Sequence, residues 1–341
     1  MNFDPEGTFS KDSSIFGMPE DENATLHLLP TAWEPTTSFK KGTALGPKAL
    51  FEATKQMDLY HPYFRKTYEK GIYWNKELLG QTKNLNDKAL KPAKRVVDSL
   101  ENDLKPSDED LNTVNDLSDQ FNQLVYDESL KALNQNKIVG LVGGDHSCPF
   151  GLIKALSEKT EEPFSIVHID AHFDLRKAYQ GFTHSHASIM YNVKTLIPNP
   201  PSLFQLGLRD FCESEIKFAE EKSIFLLDQE LQKKTLSEQS FDQILTDLFE
   251  KLDHQVYISF DIDGLSPEHC PNTGTPVPGG LSYNQAVFMV QWLHAKRHKL
   301  IGFDLVEVAP NNAQSPLGEG LDETLGSRLL YELSCFALSS L

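Results

Sequence analysis

An α/β fold with a mostly parallel central sheet is the architecture this chain encodes. Three observations carry that expectation. From residue 138 onward, short runs rich in Val, Ile, Leu and Phe alternate with longer, more polar stretches, several with helical spacing. Such alternation implies a parallel sheet covered by helices on both faces, a three-layer α/β/α sandwich. Three polar motifs directly follow apolar runs, at the carboxyl ends of strands, where sheets of this kind bind ligands. Finally, no internal repeat or low-complexity linker divides the 341 residues, a length ample for one large core.

Taken in order, residues 1–23 are polar, with Pro, Gly, Asp and Glu. They are expected to form an extended arm or a frayed end, with a single domain over 24–341. The apolar pattern opens at 26–29. Residues 30–47 read as loop, and Pro47 early in a first turn predicts a helix to Thr54. Leu111, Val114, Leu117, Phe121, Leu124 and Val125 recur at three- and four-residue intervals and predict an amphipathic helix. The stretch 76–105 shows a weaker pattern and is expected as a surface insertion or a loop packed on the domain. Strands are expected at 138–142, 164–169, 203–208, 224–227, 256–260 and 300–305.

Composition excludes several classes. Apolar residues make up 39% and charged residues 24%, as in globular chains. There is no run of about 18 apolar residues to span a membrane, and the first residues lack the basic start and apolar core of a secretory signal. A formal net charge of −17 argues against binding nucleic acid through its phosphates. Cys148, Cys212, Cys270 and Cys335 are scattered, without CxxC spacing, so reduced thiols in a cytoplasmic protein are expected.

The motifs are GGDHS at 143–147, DAHFD at 170–174 and SFDIDG at 259–264. Asp170, His172 and Asp174 are spaced i, i+2, i+4, so in an extended segment they point to one side. Asp261 and Asp263 repeat the spacing on another strand. His146 comes from a third strand end, after a Gly pair that permits a tight turn. Four converging carboxylates would repel and raise one another's pKa values; two divalent ions remove the conflict. Oxygen-dominated coordination with one imidazole per ion suits Mn²⁺ better than zinc. Two such ions about 3.5 Å apart share a water and bring its pKa toward neutrality. A lone DxD or GGDH is usually a turn, a cap or a surface acid; three motifs in order, each at a strand end, point to a metal site.

These motifs resemble those of the ureohydrolase family, which includes arginase, agmatinase, guanidinobutyrase and formimidoylglutamase. The resemblance covers most of the chain. Residues 26–54, with Gly42, Gly46 and Pro47, resemble the family's first strand and GP-containing loop. TGTPVPGGL at 273–281 resembles the agmatinase-type segment, and LVEVAP at 305–310 resembles the late strand carrying a substrate-binding acid. The resemblance implies a binuclear manganese site. One ion would take His146, Asp170, Asp174 and Asp261; the other would take Asp170, His172, Asp261 and Asp263, with Asp170 and Asp261 bridging. A bridging hydroxide would attack the guanidino carbon, and collapse would give urea and an amine. Asp174 would move a proton to the leaving nitrogen, and Glu307 would hold the guanidinium through a charge-assisted hydrogen bond.

In GFTHSHASIM at 181–190 the resemblance points to His186 as proton shuttle or substrate contact. Ala187 replaces the family's usual Gly, and His184 is the alternative. His168, two residues before Asp170, reads as a satisfied core histidine. His27, His61, His254, His269, His294 and His298 lack partners in motif spacing and read as structural or exposed. Cys148 reads as a buried filler. Trp33 and Phe39 fall where the family lines its pocket, and core packing explains them equally well.

For substrate, DAHFDLR at 170–176 resembles formimidoylglutamases, and Arg176 would pair with a carboxylate and oppose a distal ammonium. The His186 motif and TGTPVPGGL resemble agmatinase, and the Asn- and Ser-rich loop of arginase is absent between Asp174 and His186. The expected order is agmatine to putrescine, then a guanidino acid, then formiminoglutamate. A zinc deacetylase of related fold would use one metal and fewer acids; a metal-free regulatory protein would be expected to lose ligands, and none is missing. The resemblance also implies a homo-oligomer, a trimer or hexamer.

Overall fold

The computed structural model describes residues 3–7, 13–311 and 316–340. Its strands are β1 (Leu26–Pro30), β2 (Ile72–Trp74), β3 (Ile138–Val142), β4 (Phe164–Ile169), β5 (Ser202–Leu208), β6 (Ile224–Leu227), β7 (Gln255–Asp261) and β8 (Lys299–Val306). They form one sheet in the order β2-β1-β3-β8-β7-β4-β5-β6. Every pairing is parallel. The four strands that precede the polar motifs, β3, β8, β7 and β4, are therefore neighbours.

Helices cover both faces. On one side pack α2 (Lys76–Glu101), α3 (Asp108–Leu133), α4 (Phe150–Lys159), α5 (Ile189–Leu196) and α6 (Glu213–Lys222), over Val139, Leu141 and Ile166. On the other pack α1 (Gly46–Ala53), α7 (Asp228–Leu236), α8 (Phe241–Leu248), α9 (Tyr283–Ala295) and α10 (Leu321–Ser339), over Val167, Ile258 and Phe303. Adjacent strand residues serve opposite layers, as the pleat dictates. The result is the expected α/β/α sandwich. No helix among the described residues is long and apolar enough to cross a membrane.

Three expectations need correction. The stretch 76–105 is largely helix α2, capped by Asn75, whose side chain accepts from Leu78 N. Its buried stripe is Leu78, Thr82, Asn86, Ala89, Pro92, Ala93 and Val96, only partly apolar. Thr82 Oγ1 accepts from Ala32 N at 3.1 Å and Asn86 Oδ1 from Glu34 N at 2.9 Å. The helix packs against loop backbone, which needs acceptors, so the hydrophobic period is diluted. Strand β2 leaves no sequence signal, because three residues are too short for a period to show. Lastly, the segment expected as an arm is not loose over residues 14–18. Ile15, Phe16 and Met18 are buried, Phe16 N donates to Thr54 Oγ1, and its ring packs on Tyr331.

Candidate metal centre

The predicted ligands converge beyond the carboxyl ends of β3, β4 and β7. The Gly pair before His146 is required by a close approach: a Cβ on Gly144 would lie 1.9 Å from the Trp33 carbonyl oxygen. Asp145 N donates to that same oxygen at 2.8 Å. His146, Asp170, Asp174, Asp261 and Asp263 are buried, and His172 is partly open to the cavity.

His146 Nδ1 lies 2.9 Å from Asp170 Oδ2, 3.1 Å from Asp174 Oδ2 and 3.2 Å from Asp261 Oδ2. Its Nε2 lies 2.9 Å from Ser259 Oγ, which donates to Asp304 Oδ1 at 3.2 Å. A hydroxyl has one proton. Once Asp304 receives it, Ser259 accepts from His146, so Nε2–H is the tautomer. Nδ1 then turns a lone pair toward three carboxylate oxygens, a geometry that calls for a cation. Without one the ring must take a second proton: burial opposes this, but the three carboxylates raise His146 well above its ordinary range. A second convergence adjoins the first, with His172 Nδ1 3.3 Å from both Asp170 Oδ1 and Asp263 Oδ2. Asp170 belongs to both groups. Hard oxygen donors with one imidazole on each side fit a pair of divalent ions.

Beneath the ligands runs a polar row set by strand register. Gln205 pairs with His168, His168 with Ser259, and Ser259 with Asp304, across β5, β4, β7 and β8. Gln205 Nε2 donates to His168 Nδ1 at 2.9 Å, so His168 Nε2 carries the proton and donates to Asp170 Oδ2 at 3.0 Å. His168 is thus a buried, satisfied histidine, as expected, but its proton steers the Asp170 carboxylate, a candidate ligand. Tyr257 OH donates to Asp304 Oδ2 at 2.7 Å. Ser259 and His168 each sit two residues before a motif Asp, and that spacing was a legible signal. Asp304, a charge inside an apolar strand, was another.

Burial, with Asp170 close by, raises Asp174 to about 7. Burial, Asp263 and Asp170 push Asp261 well above the carboxylate range. Asp170 moves the other way: burial opposes ionisation, but hydrogen bonds from His146, His168 and His172 hold it well below. Glu307 is raised by burial and by Asp145 and Asp263. Its Oε1 accepts from His146 N at 3.0 Å, while Oε2 is buried with no hydrogen-bond partner among the described residues. Asp174 and Glu307 both have left-handed backbone, φ 55° and 62°. Each is held there by its neighbours: Met190 N and Tyr191 N donate to Asp174 O, and Thr273 Oγ1 to Glu307 O. Strain of this kind collects at functional sites.

A cavity of about 150 Å³ opens above these groups and includes Glu307, His186 and Arg176 in its walls. His186 Nε2 is 3.5 Å from Ser38 Oγ, and burial beside His172 and Lys41 lowers its pKa to about 3. His184 turns away, toward Asp119 and Asn192 and against Phe150. Of the two, His186 is therefore the one on the wall. Arg176 Nε lies 3.5 Å from Glu215 Oε2, and its guanidinium covers the Tyr179 ring. Ser38, Tyr179, Asp210, Phe211 and Glu215 also line the wall and come from segments with no motif spacing, while Thr275 belongs to the TGTPVPGGL segment. Trp33 is core, stacked on Phe121, while Phe39 is 72% exposed. Cys148 is buried in the core. His27, His61, His254, His269, His294 and His298 do not line the cavity.

The family model described as Arginase family matches residues 14–335. The chain belongs to the arginase family. Membership places it among the hydrolases that act on C–N bonds of linear amidines. It is similar to the N(1)-aminopropylagmatine ureohydrolase of Thermococcus kodakarensis, 30% identical over 94% of each chain. The agmatinase of Bacillus anthracis is 26% identical over 85% of each. The crystal structure of a hypothetical agmatinase from Burkholderia thailandensis superposes with a TM-score of 0.72, at 22% identity, covering 98% of this arginase-family chain and 93% of the other.

Proposed function

We propose that this arginase-family protein hydrolyses the guanidino C–N bond of a small guanidine with a cationic tail, agmatine first and an N-substituted agmatine second, giving urea and an amine. The observation that carries this reading is Glu307 Oε2, a buried acceptor without a partner among the described residues, in the wall of a cavity floored by the ligand carboxylates. A guanidinium supplies the missing donors in the planar geometry a carboxylate accepts.

His146, Asp170, Asp174 and Asp261 would hold one Mn²⁺, and Asp170, His172, Asp261 and Asp263 the other, with Asp170 and Asp261 shared. The pair would supply a water ionised near neutral pH. The chain does the rest. Glu307 fixes the guanidinium with its carbon toward the floor. Asp174 takes a proton there and delivers it to the leaving nitrogen. His186 stays neutral through the working pH range and offers the substrate a hydrogen-bond acceptor. The tail lies toward Asp210, whose side chain is 70% exposed.

Arg176 favours an acidic tail less than its bare presence suggests. It faces Glu215, a buried carboxylate held by Leu175 N and Cys212 N. An acidic substrate would have to compete with that partner. The test is urea release from agmatine, aminopropylagmatine, arginine, guanidinobutyrate and guanidine, and formamide release from formiminoglutamate, with Mn²⁺ present. Urea from the two agmatines at the highest kcat/KM is expected; turnover of formiminoglutamate alone would overturn the reading. Two manganese per chain are expected by metal analysis.

A further inference from the structure

Asp145 stands beside His146 in the GGDHS motif, yet its carboxylate turns away from the ligands. Oδ1 accepts from Ser147 N at 3.0 Å and from Ser147 Oγ at 2.5 Å. Oδ2 accepts from Thr36 Oγ1 at 3.1 Å. Thr36 Oγ1 in turn accepts from His186 N at 3.2 Å. Asp145 and Thr36 are both completely buried. Three segments far apart in sequence thus meet at one hydroxyl.

We propose that Asp145 and Thr36 form a positioning relay that fixes the backbone of His186 on the cavity wall. The chemistry is directional. A threonine hydroxyl has one proton, and Asp145 takes it. What remains toward His186 is a lone pair, the group its N–H needs. The loop carrying Thr36 is held so that the hydroxyl cannot drift. Ala32 N and Glu34 N are fastened to α2 through Thr82 and Asn86. The Lys41 ammonium, inside the loop, donates to Glu34 O at 3.0 Å and Thr37 O at 2.9 Å. The Glu34 carboxylate closes the loop by accepting from Gly42 N at 2.6 Å. The same loop brings Ser38 Oγ toward His186 Nε2. The backbone and ring of His186 are therefore addressed by a single loop, and the Asp of GGDHS sets its polarity. This gives a role to the one acidic motif residue that the metal centre leaves unused.

The proposal rests on the reading of His186 as a working residue but not on the identity of the substrate. Thr36→Val keeps the shape and removes the hydroxyl; Thr36→Ser keeps the hydroxyl. Asp145→Asn, with its amide oxygen kept by Ser147, turns a donor toward Thr36 and removes the acceptor for the hydroxyl proton, which then competes with the His186 N–H. The measurement is amide hydrogen exchange over residues 184–190 in the manganese-loaded full chain, with metal content as control. Exchange about tenfold faster is expected in Thr36→Val and Asp145→Asn, with Thr36→Ser like wild type and metal content unchanged. In turnover, Thr36→Val should lower kcat about tenfold with little change in KM, and cost nothing further in a His186→Ala background. Unchanged exchange in Thr36→Val, or losses that simply add to those of His186→Ala, would overturn the relay. If no guanidine is turned over at all, the functional reading fails while the exchange result still decides this one. If Thr36→Val does not fold, Asp145→Asn against Thr36→Ser makes the same comparison.

Discussion

On the floor of the cavity, side chains come from strand ends, are buried, and are oriented by a second row one rung below. Gln205 sets His168, His168 sets Asp170, and Asp304 sets Ser259, which sets His146. At the mouth, Arg176, Tyr179 and Asp210 come from loops, and their partners are few and partly wet. Arg176 leans on Glu215 and Tyr179, and Asp210 reaches only to within 4.0 Å of His172. The floor concentrates charge that the sheet holds rigid; the mouth spreads charge that a substrate can rearrange. Changes on the floor should therefore remove turnover, and changes at the mouth should redistribute it among substrates.

The sharpest way to break that contrast is at the floor. Asp261→Asn and Asp174→Asn should each lower kcat by at least about a thousandfold, with the fold kept as judged by circular dichroism. Retained activity in either would refute the assignment. Metal removal should also expose the cost of the floor. Asp174 and Asp261 have raised pKa values in the folded chain, as do His146 and His172. A raised group stabilises fully below its unfolded pKa, and that stability is lost as pH rises through the folded value. For Asp174 the window runs from about 4, the unfolded value, to about 7. The chelated protein should lose Tm across it, while the manganese-loaded protein should not. A Tm gap that stays constant from pH 5 to pH 8 would break the argument.

Glu307→Gln comes next. It keeps an acceptor but loses the charge that a guanidinium pairs with, so kcat/KM should fall about a hundredfold. Unchanged KM and kcat would count against its role. Ser259→Ala probes the row beneath. It frees His146 to adopt the other tautomer, and manganese affinity should fall about tenfold. Unaltered affinity would mean that the register-set row is packing alone.

The same division explains what could be read from the sequence. The floor was legible because strand geometry forces i, i+2 residues onto one side, so DAHFD and SFDIDG declare themselves. The partnership of Ser259 with Asp304, or His168 with Gln205, was not legible, because register between strands leaves no mark in either strand. Helix α2 was obscured for a related reason: Thr82 and Asn86 answer loop backbone where a periodic pattern would place apolar side chains. Asp145 looked like spare charge because its partner, Thr36, lies 109 residues away. At the mouth, Arg176 was visible but Glu215, which changes its meaning, was 39 residues on and carried no motif.

The smallest effects, and the most informative about substrate, belong to that pair. Arg176→Ala removes a cation and leaves the Glu215 carboxylate to the cavity, so the mouth becomes more acidic. For guanidinobutyrate KM should rise about tenfold. For agmatine it should stay within about threefold, because the lost repulsion offsets the lost packing on Tyr179. Asp210→Asn should show the opposite order, weakening agmatine by about threefold and sparing the acid, since an exposed charge contributes modestly. A double variant should bring the two substrates closer together than either single change. If Arg176→Ala harmed both substrates equally, Arg176 would be a structural brace for Glu215 and the loop after Asp174. The choice of tail would then rest with Asp210 and the loop that carries Ser38.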